Sequence, residues 1–188
     1  MAGPRRHEPE FESLETSPYR VRGQIFLGTR SYFEAQVPGG YAALLSALRP
    51  ALRAFMSQDF RPREFYEVMV VPELIDTEAR VANLSIARYL DQRTRWQAGR
   101  DLAGPVAPLL RCLPTWLVVS RVTARMANTF NFGESQVTKL GPSHYRVQIR
   151  DVPQRLCAWL EHSLSVYGQA SLIASGAKGV EVRSLPPE

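Results

Sequence analysis

The stretch from Ser85 to Phe132, SIARYLDQRTRWQAGRDLAGPVAPLLRCLPTWLVVSRVTARMANTFNF, is the longest continuously periodic segment of the chain. It predicts two apolar-faced helical segments joined at Pro114. Ile86, Tyr89 and Leu90 fall three and four apart, on one helical face. Trp96 and Leu102 extend that side. Gly104 and Pro105 predict a stop or kink, because proline lacks an N–H and disfavours helix in the residue before it. A short apolar piece, Val106 to Leu113, comes next. Beyond Pro114, Thr115 is the expected N-cap. Leu117, Val118, Val122, Met126 and Phe130 then make an apolar stripe at spacings near four, with Arg121 and Arg125 as a parallel polar pair. Gly133 is the expected residue just past the helix end. Such a stripe lines a ligand pocket in some proteins and packs on a core in any helical one.

A chain of 188 residues suits one domain with a sizeable core. Its 45% apolar and 22% charged residues are ordinary for a globular protein. The formal net charge is +5, and all but Lys139 and Lys178 of the 23 basic residues are arginine. Arginine forks suit phosphate. The arginines are spread among acids, however, and no nucleic-acid-binding motif is evident, so nucleic acid is not the expected partner. Cys112 and Cys157 sit in apolar helical contexts without a CxxC or Cys/His cluster. Buried thiols in a reducing cytoplasm are expected, with no metal and no cofactor. No secretory leader and no membrane span are expected.

Residues 1–17 are polar and predict a disordered tail before a single domain over 18–188. Tyr19 to Phe33 alternates in part and predicts a strand. Tyr41 to Met56 predicts a helix that Pro50 kinks or splits. Glu73 to Leu90 predicts one or two helices, with Pro72 near the first position and Asp76 or Thr77 as alternative N-caps. Gln136 to Leu140 and His144 to Arg150 flank Gly141-Pro142-Ser143 and predict a hairpin. Asp151 is the expected cap of a helix that starts through Pro153. Gly168 is expected to separate a second short helix, and Val180 to Leu185 to form a last strand.

The chemistry-bearing residues are sparse. His7, His144 and His162 form no ligand pattern, and no nucleotide or nucleophile motif occurs. Arg93, Arg95 and Arg100 are candidate anion contacts, and Trp96 a candidate stacking platform. Glu67, His144 and Tyr145 are the candidates for acid–base work, provided that they face a cavity.

One order of features resembles a known family. A strand carrying Gly23 and the Phe65-Tyr66 pair precede Arg88-Tyr89-Leu90, Thr94 and Gly99-Arg100. Pro114 and a helix ending in an Asn-rich turn (Asn128, Asn131) come after them. Over roughly Tyr19 to Leu185 this resembles a myxobacterial paralogous family known only as a domain of unknown function. It is distantly similar to 4-vinyl-reductase-type domains and their haem-nitric-oxide-binding and vesicle-tethering relatives. The resemblance implies an α+β fold, with helices packed on one side of a small antiparallel sheet. It also implies an apolar pocket between helices and sheet, or a dimerising adaptor surface. No haem-ligating histidine or cysteine cluster of those relatives has a counterpart here. The expected function is therefore a non-enzymatic small-molecule-binding sensor or regulatory domain. Its pocket residues would be Trp96, Leu117, Val118, Val122, Met126, Phe130 and Trp159, and its ligand an apolar small molecule. The alternatives are an adaptor acting as a homodimer or with a protein partner, and a small cyclase- or isomerase-like enzyme.

Overall fold

Gly23 marks a turn in the chain path, and its lack of a side chain lets that turn close on a neighbouring backbone. The structure, a computed structural model, describes residues 14, 16–104 and 106–185. Strand β1 (Arg20–Arg22) ends at Gly23, and helix α1 (Gln24–Gln36) starts beside it. The Gly23 N–H donates to Glu64 O at 2.9 Å, which pulls the two backbones together. A Cβ at Gly23 would collide with the Arg61 carbonyl and lie 2.7 Å from the Tyr66 ring. The strand expected over Tyr19 to Phe33 is thus three residues long. The apparent alternation hid a helical spacing: Phe26, Thr29, Tyr32 and Phe33 fall three and four apart, and all are buried.

Helices α2 (Gly40–Ala47) and α3 (Pro50–Met56) are the split pair that Pro50 allowed, with the proline in the first turn of α3. Strand β2 (Phe65–Glu67) pairs antiparallel with β1, Val21 facing Tyr66. Helix α4 (Val71–Val81) begins earlier than either expected N-cap. Pro72 occupies its first turn, where no N–H is needed, and Asp76 and Thr77 lie inside it. Helix α5 (Ile86–Asp101) starts at Ser85, whose side chain accepts from the Arg88 N–H.

After the short α6 (Val106–Arg111) comes α7 (Thr115–Thr129). Pro114, not Thr115, holds the N-cap position, its fixed φ and extended ψ setting the helix entry. Phe130 turns extended and bridges Val21, so Gly133 lies beyond the C′ position that was expected for it. Its positive φ of 82° serves the approach to the hairpin instead, with Met126 Cε 2.6 Å from where a Cβ would stand. That hairpin, β3 (Glu134–Gly141) and β4 (His144–Arg150), forms as the sequence predicted and packs on α7.

Helix α8 (Gln154–Ala174) runs unbroken through Gly168, and Pro153 rather than Asp151 is its N-cap. A mid-helix glycine costs only about 1 kcal/mol, and packing of α8 on α5 and α7 outweighs it. Val180 to Leu185 is irregular, without strand partners among the described residues. Both cysteines are free and exposed, against the expectation of burial; α8 buries Leu156 and Leu160, and Cys157 falls on the outward flank.

The result is a single α+β domain in which the antiparallel sheet takes the form of two two-stranded ladders. Helix α5 is central and packs on α1, α4 and α8. Residues 1–13 and 15 of the expected tail lie outside the described residues. Leu14 packs partly against the core, and the Ser17 N–H donates to Glu67 Oε2 at 2.8 Å. The Asn-rich turn fastens β1 from the other side: the Arg20 N–H donates to Asn131 Oδ1 at 2.5 Å, and the Arg22 side chain to the Asn128 carbonyl.

Gly23→Ala is expected to destabilise the fold by about 1–3 kcal/mol, because the contacted Arg61 carbonyl is backbone and gives way only with the turn. Urea denaturation checks this; an unchanged midpoint would show that the turn is slack.

Candidate functional site

Helix α4 carries its apolar stripe at Val71, Leu74 and Ile75, and the next position on that stripe is Glu78. The spacing therefore buries a carboxylate. Glu78 is 2% exposed. Its Oε2 accepts a hydrogen bond from the Tyr89 hydroxyl at 2.7 Å. Its Oε1 is buried and makes no well-formed hydrogen bond, although the Thr29 hydroxyl lies near enough to favour the charged carboxylate. Burial pushes the Glu78 carboxyl above the usual carboxylate pKa; the Arg93 charge and the Tyr89 and Thr29 hydroxyls pull the other way without cancelling it. Burial, and next the charge of Glu78, push the Tyr89 phenol well up as well.

Arg93 stands one turn beyond Tyr89 on α5. Its Nη2 donates to the Ile25 carbonyl at 3.1 Å and to Thr29 Oγ1 at 3.4 Å. Both acceptors are neutral and both belong to α1. The guanidinium reaches them by passing over Gly28. A Cβ at Gly28 would stand 2.8 Å from Arg93 Nη2 and 2.9 Å from Gln97 Oε1. A glycine in the middle of α1 is thus a groove for two α5 side chains.

These groups line a cavity of about 270 Å³ that opens to solvent among α1, α4, α5, α7 and α8. Its apolar wall includes Phe26, Leu74, Val122, Met126, Phe130 and Trp159. The Trp159 ring meets Phe130 edge-on at 5.8 Å between centroids. A second polar group stands on the same cavity. Asp101 accepts from Gln97 at 2.7 Å, from Arg125 at 2.7 Å and from the Tyr167 hydroxyl at 3.2 Å. Arg125 also donates to the Tyr167 oxygen at 2.8 Å. Arg125 is exposed and Asp101 largely covered, so this group stands where the cavity meets solvent. Burial pushes the Tyr167 phenol up; Arg125 opposes this and Asp101 adds to it.

The expected residues divide. Val122, Met126, Phe130 and Trp159 line the cavity together. Val118 is buried on the same helix but off the cavity, and Leu117 is half-buried to one side. Trp96 faces away: it meets Tyr32 edge-on, and Arg100 lies 4.7 Å above its ring. The three candidate anion contacts do not converge. Arg93 enters the cavity, whereas Arg95 is exposed and paired with Asp91 at 3.0 Å. At 100° per residue Arg95 points 200° from Arg93, so one helix cannot aim both at one anion. The cavity also lies among helices and not between helices and sheet, because the hairpin covers the other side of α7.

None of the acid–base candidates faces the cavity. His144 is exposed on β4, and Tyr145 donates to the Pro142 carbonyl at 3.4 Å. Glu67 lies on β2, where it pairs with Arg20 at 2.8 Å. Burial opposes ionisation of Glu67, but the Ser17 hydroxyl, the Met69 and Ser17 N–H groups and Arg20 outweigh it and hold its pKa low. Glu78, Gln97 and Asp101 carry no site role in the sequence reading, and Tyr89 appears there only as part of an apolar helical face and of the family resemblance. The available signal was a carboxylate in register with an apolar stripe, four residues past Leu74 and seven past Val71.

Among the described residues no three His, Cys, Asp or Glu side chains converge to hold a metal, and no helix is long and apolar enough to cross a membrane. No family model, curated protein or solved structure matches the chain.

A raised folded-state pKa means that the native state holds the Glu78 proton more tightly than the unfolded chain. The associated stability is present below the ordinary value of 4.5 and is lost as pH rises through the folded value. Relative to Glu78→Gln, the wild type is therefore expected to lose stability with rising pH and then level off. Denaturation midpoints of both proteins between about pH 4 and about pH 9 check this; parallel curves would remove the buried acid.

Proposed function

We propose that this chain is a non-enzymatic small-molecule-binding domain with a sensing or regulatory role. The observation that carries the proposal is Glu78: a buried carboxyl, one oxygen of which makes no well-formed hydrogen bond, on a residue that lines a cavity of mixed apolar and polar wall. Burying a polar atom without a partner costs about 1–3 kcal/mol. A fold that needed only a packed core has cheaper solutions at that position. An apolar cavity with a few convergent polar groups and a shifted acid is the usual form of a ligand site. The resemblance to vinyl-reductase-type ligand-binding domains belongs to the same proposal, as does a cytoplasmic location. Two exposed, unpaired thiols suit a reducing compartment.

Native mass spectrometry of freshly purified protein, with an absorbance scan, tests the proposal. Wild type is expected to carry extra mass that is lost on denaturation. A folded Val122→Trp variant, with the cavity filled, is expected to carry none. The same bare mass for both, with no melting shift from small apolar probes, would overturn it.

Proton-transfer chemistry of the isomerase type has one observation in its favour: a buried acid with a raised pKa beside a phenol, inside a cavity. Under that alternative the co-purified molecule, returned to protein in deuterated water, exchanges hydrogen for deuterium, and Glu78→Gln stops the exchange. A bound molecule that stays unlabelled by NMR leaves binding as the function.

A further inference from the structure

The cavity holds two arginines, and they differ in how their charge is used. Arg125 is paired with Asp101 at 2.7 Å. Arg93 has no ion pair among the described residues; it donates only to the Ile25 carbonyl and Thr29 Oγ1, both from Nη2. A guanidinium carries five N–H groups in a planar fork, and an ionised oxygen pair is its best-matched partner. Glu78 lines the same cavity, and its deeply buried Oε1 makes no well-formed hydrogen bond. Tyr89 occupies only the other carboxyl oxygen. In its protonated form, which burial favours, Glu78 has one O–H to donate; the Arg93 charge acts on the Glu78 carboxyl, but Arg93 makes no ion pair among the described residues.

These two groups ask for the same thing. An acceptor with two oxygens takes an N–H from Arg93 and the O–H from Glu78. An ammonium group would meet the Arg93 charge at close quarters in a site with little water to screen it. A hydroxyl would satisfy one of the two donors and leave the arginine without a counter-charge. The cavity volume of about 270 Å³ lies just below the range of small-molecule sites, which span ~300–1,000 Å³. The ligand body is thus small, on the scale of one ring with a short chain.

We infer that the cavity takes a small organic monocarboxylate, its carboxylate between Arg93 and Glu78 Oε1 and its apolar body against Val122, Met126 and Phe130. The inference rests on the small-molecule-binding function proposed above and adds the chemical class. Gly28 is the positioning residue of the site, since its missing side chain lets the Arg93 fork lie across α1.

Isothermal titration calorimetry with three matched probes tests it: phenylpropanoate, phenylpropanol and phenylpropylamine, which share one body and differ in head group. Wild type is expected to bind the carboxylate at least about tenfold more tightly than the alcohol, and the amine least. Arg93→Met is expected to erase the difference between carboxylate and alcohol while leaving the alcohol's affinity nearly unchanged. Gly28→Ala is expected to act in the same direction by displacing the guanidinium, and its added methyl group favours the helix. It thus carries the test if Arg93→Met fails to fold. Equal affinity for carboxylate and alcohol, or tightest binding of the amine, would overturn the acidic head group and keep the pocket. A preference for the carboxylate that survives both substitutions would overturn the role of Arg93. No binding of any probe to wild type would overturn the ligand class and the pocket together.

Discussion

Burying the Glu78 carboxyl against α5 is the constraint that explains much of the surrounding arrangement. An isolated carboxylate cannot be moved out of water unless it is paired or neutralised. Here Tyr89 occupies one oxygen, Arg93 supplies positive charge, and burial itself favours the neutral acid. Each of these needs α4, α5 and α1 at fixed separations. Tyr89 is fully buried between Glu78 and the aromatic pair Tyr32 and Phe33, whose rings stand 5.8 and 6.4 Å from its own. The polar cluster and the aromatic core are therefore one packed unit, and neither could shift without the other.

Two glycines make that unit possible by opposite means. Gly23 lets two backbones approach, so that β1 ends and α1 begins directly under the β1–β2 ladder. Gly28 lets two long side chains from α5 lie over α1. The first contact is backbone to backbone and is rigid. The second is with side-chain ends and is adjustable, which is why Gly28 bears on the site and Gly23 on the fold. On the far side, Arg20 and Arg22 fasten β1 to the end of α7, so the strand that starts the domain also fixes where Phe130 enters the cavity wall.

The cavity has two polar regions with different characters. At the solvent edge Asp101, Arg125, Gln97 and Tyr167 satisfy one another. Such a closed network holds α5, α7 and α8 in register and asks nothing of a ligand. Deeper in, Glu78 and Arg93 are left with unused hydrogen-bonding capacity. The closed network lies at the solvent edge, and the carboxyl with an oxygen lacking a well-formed hydrogen bond is the more deeply buried of the two acids.

The sequence by itself determined the elements that rest on local spacing. The stripe of α7, the hairpin around Gly141-Pro142-Ser143 and the break at Pro50 all come from period and turn chemistry, which act within a few residues; the α+β class was what the family resemblance implied. It misled where a local rule met a tertiary one. Tyr19 to Phe33 read as a strand because alternation and helical spacing share residues over so short a run. Gly168 read as a break because its cost is local, while the packing of α8 that outweighs it comes from α5 and α7. Of the site, Val122, Met126, Phe130 and Trp159 were legible as apolar faces, and Arg93 as one of three arginines. Which arginine turns inward was decided only by the tertiary structure, because Arg93 shares a face with Tyr89 and finds the groove at Gly28, whereas Arg95 finds Asp91 and water. The same holds for Glu78. A lone glutamate in an apolar stripe acquires its chemistry only when another helix supplies a phenol to one oxygen and leaves the other without a well-formed hydrogen bond.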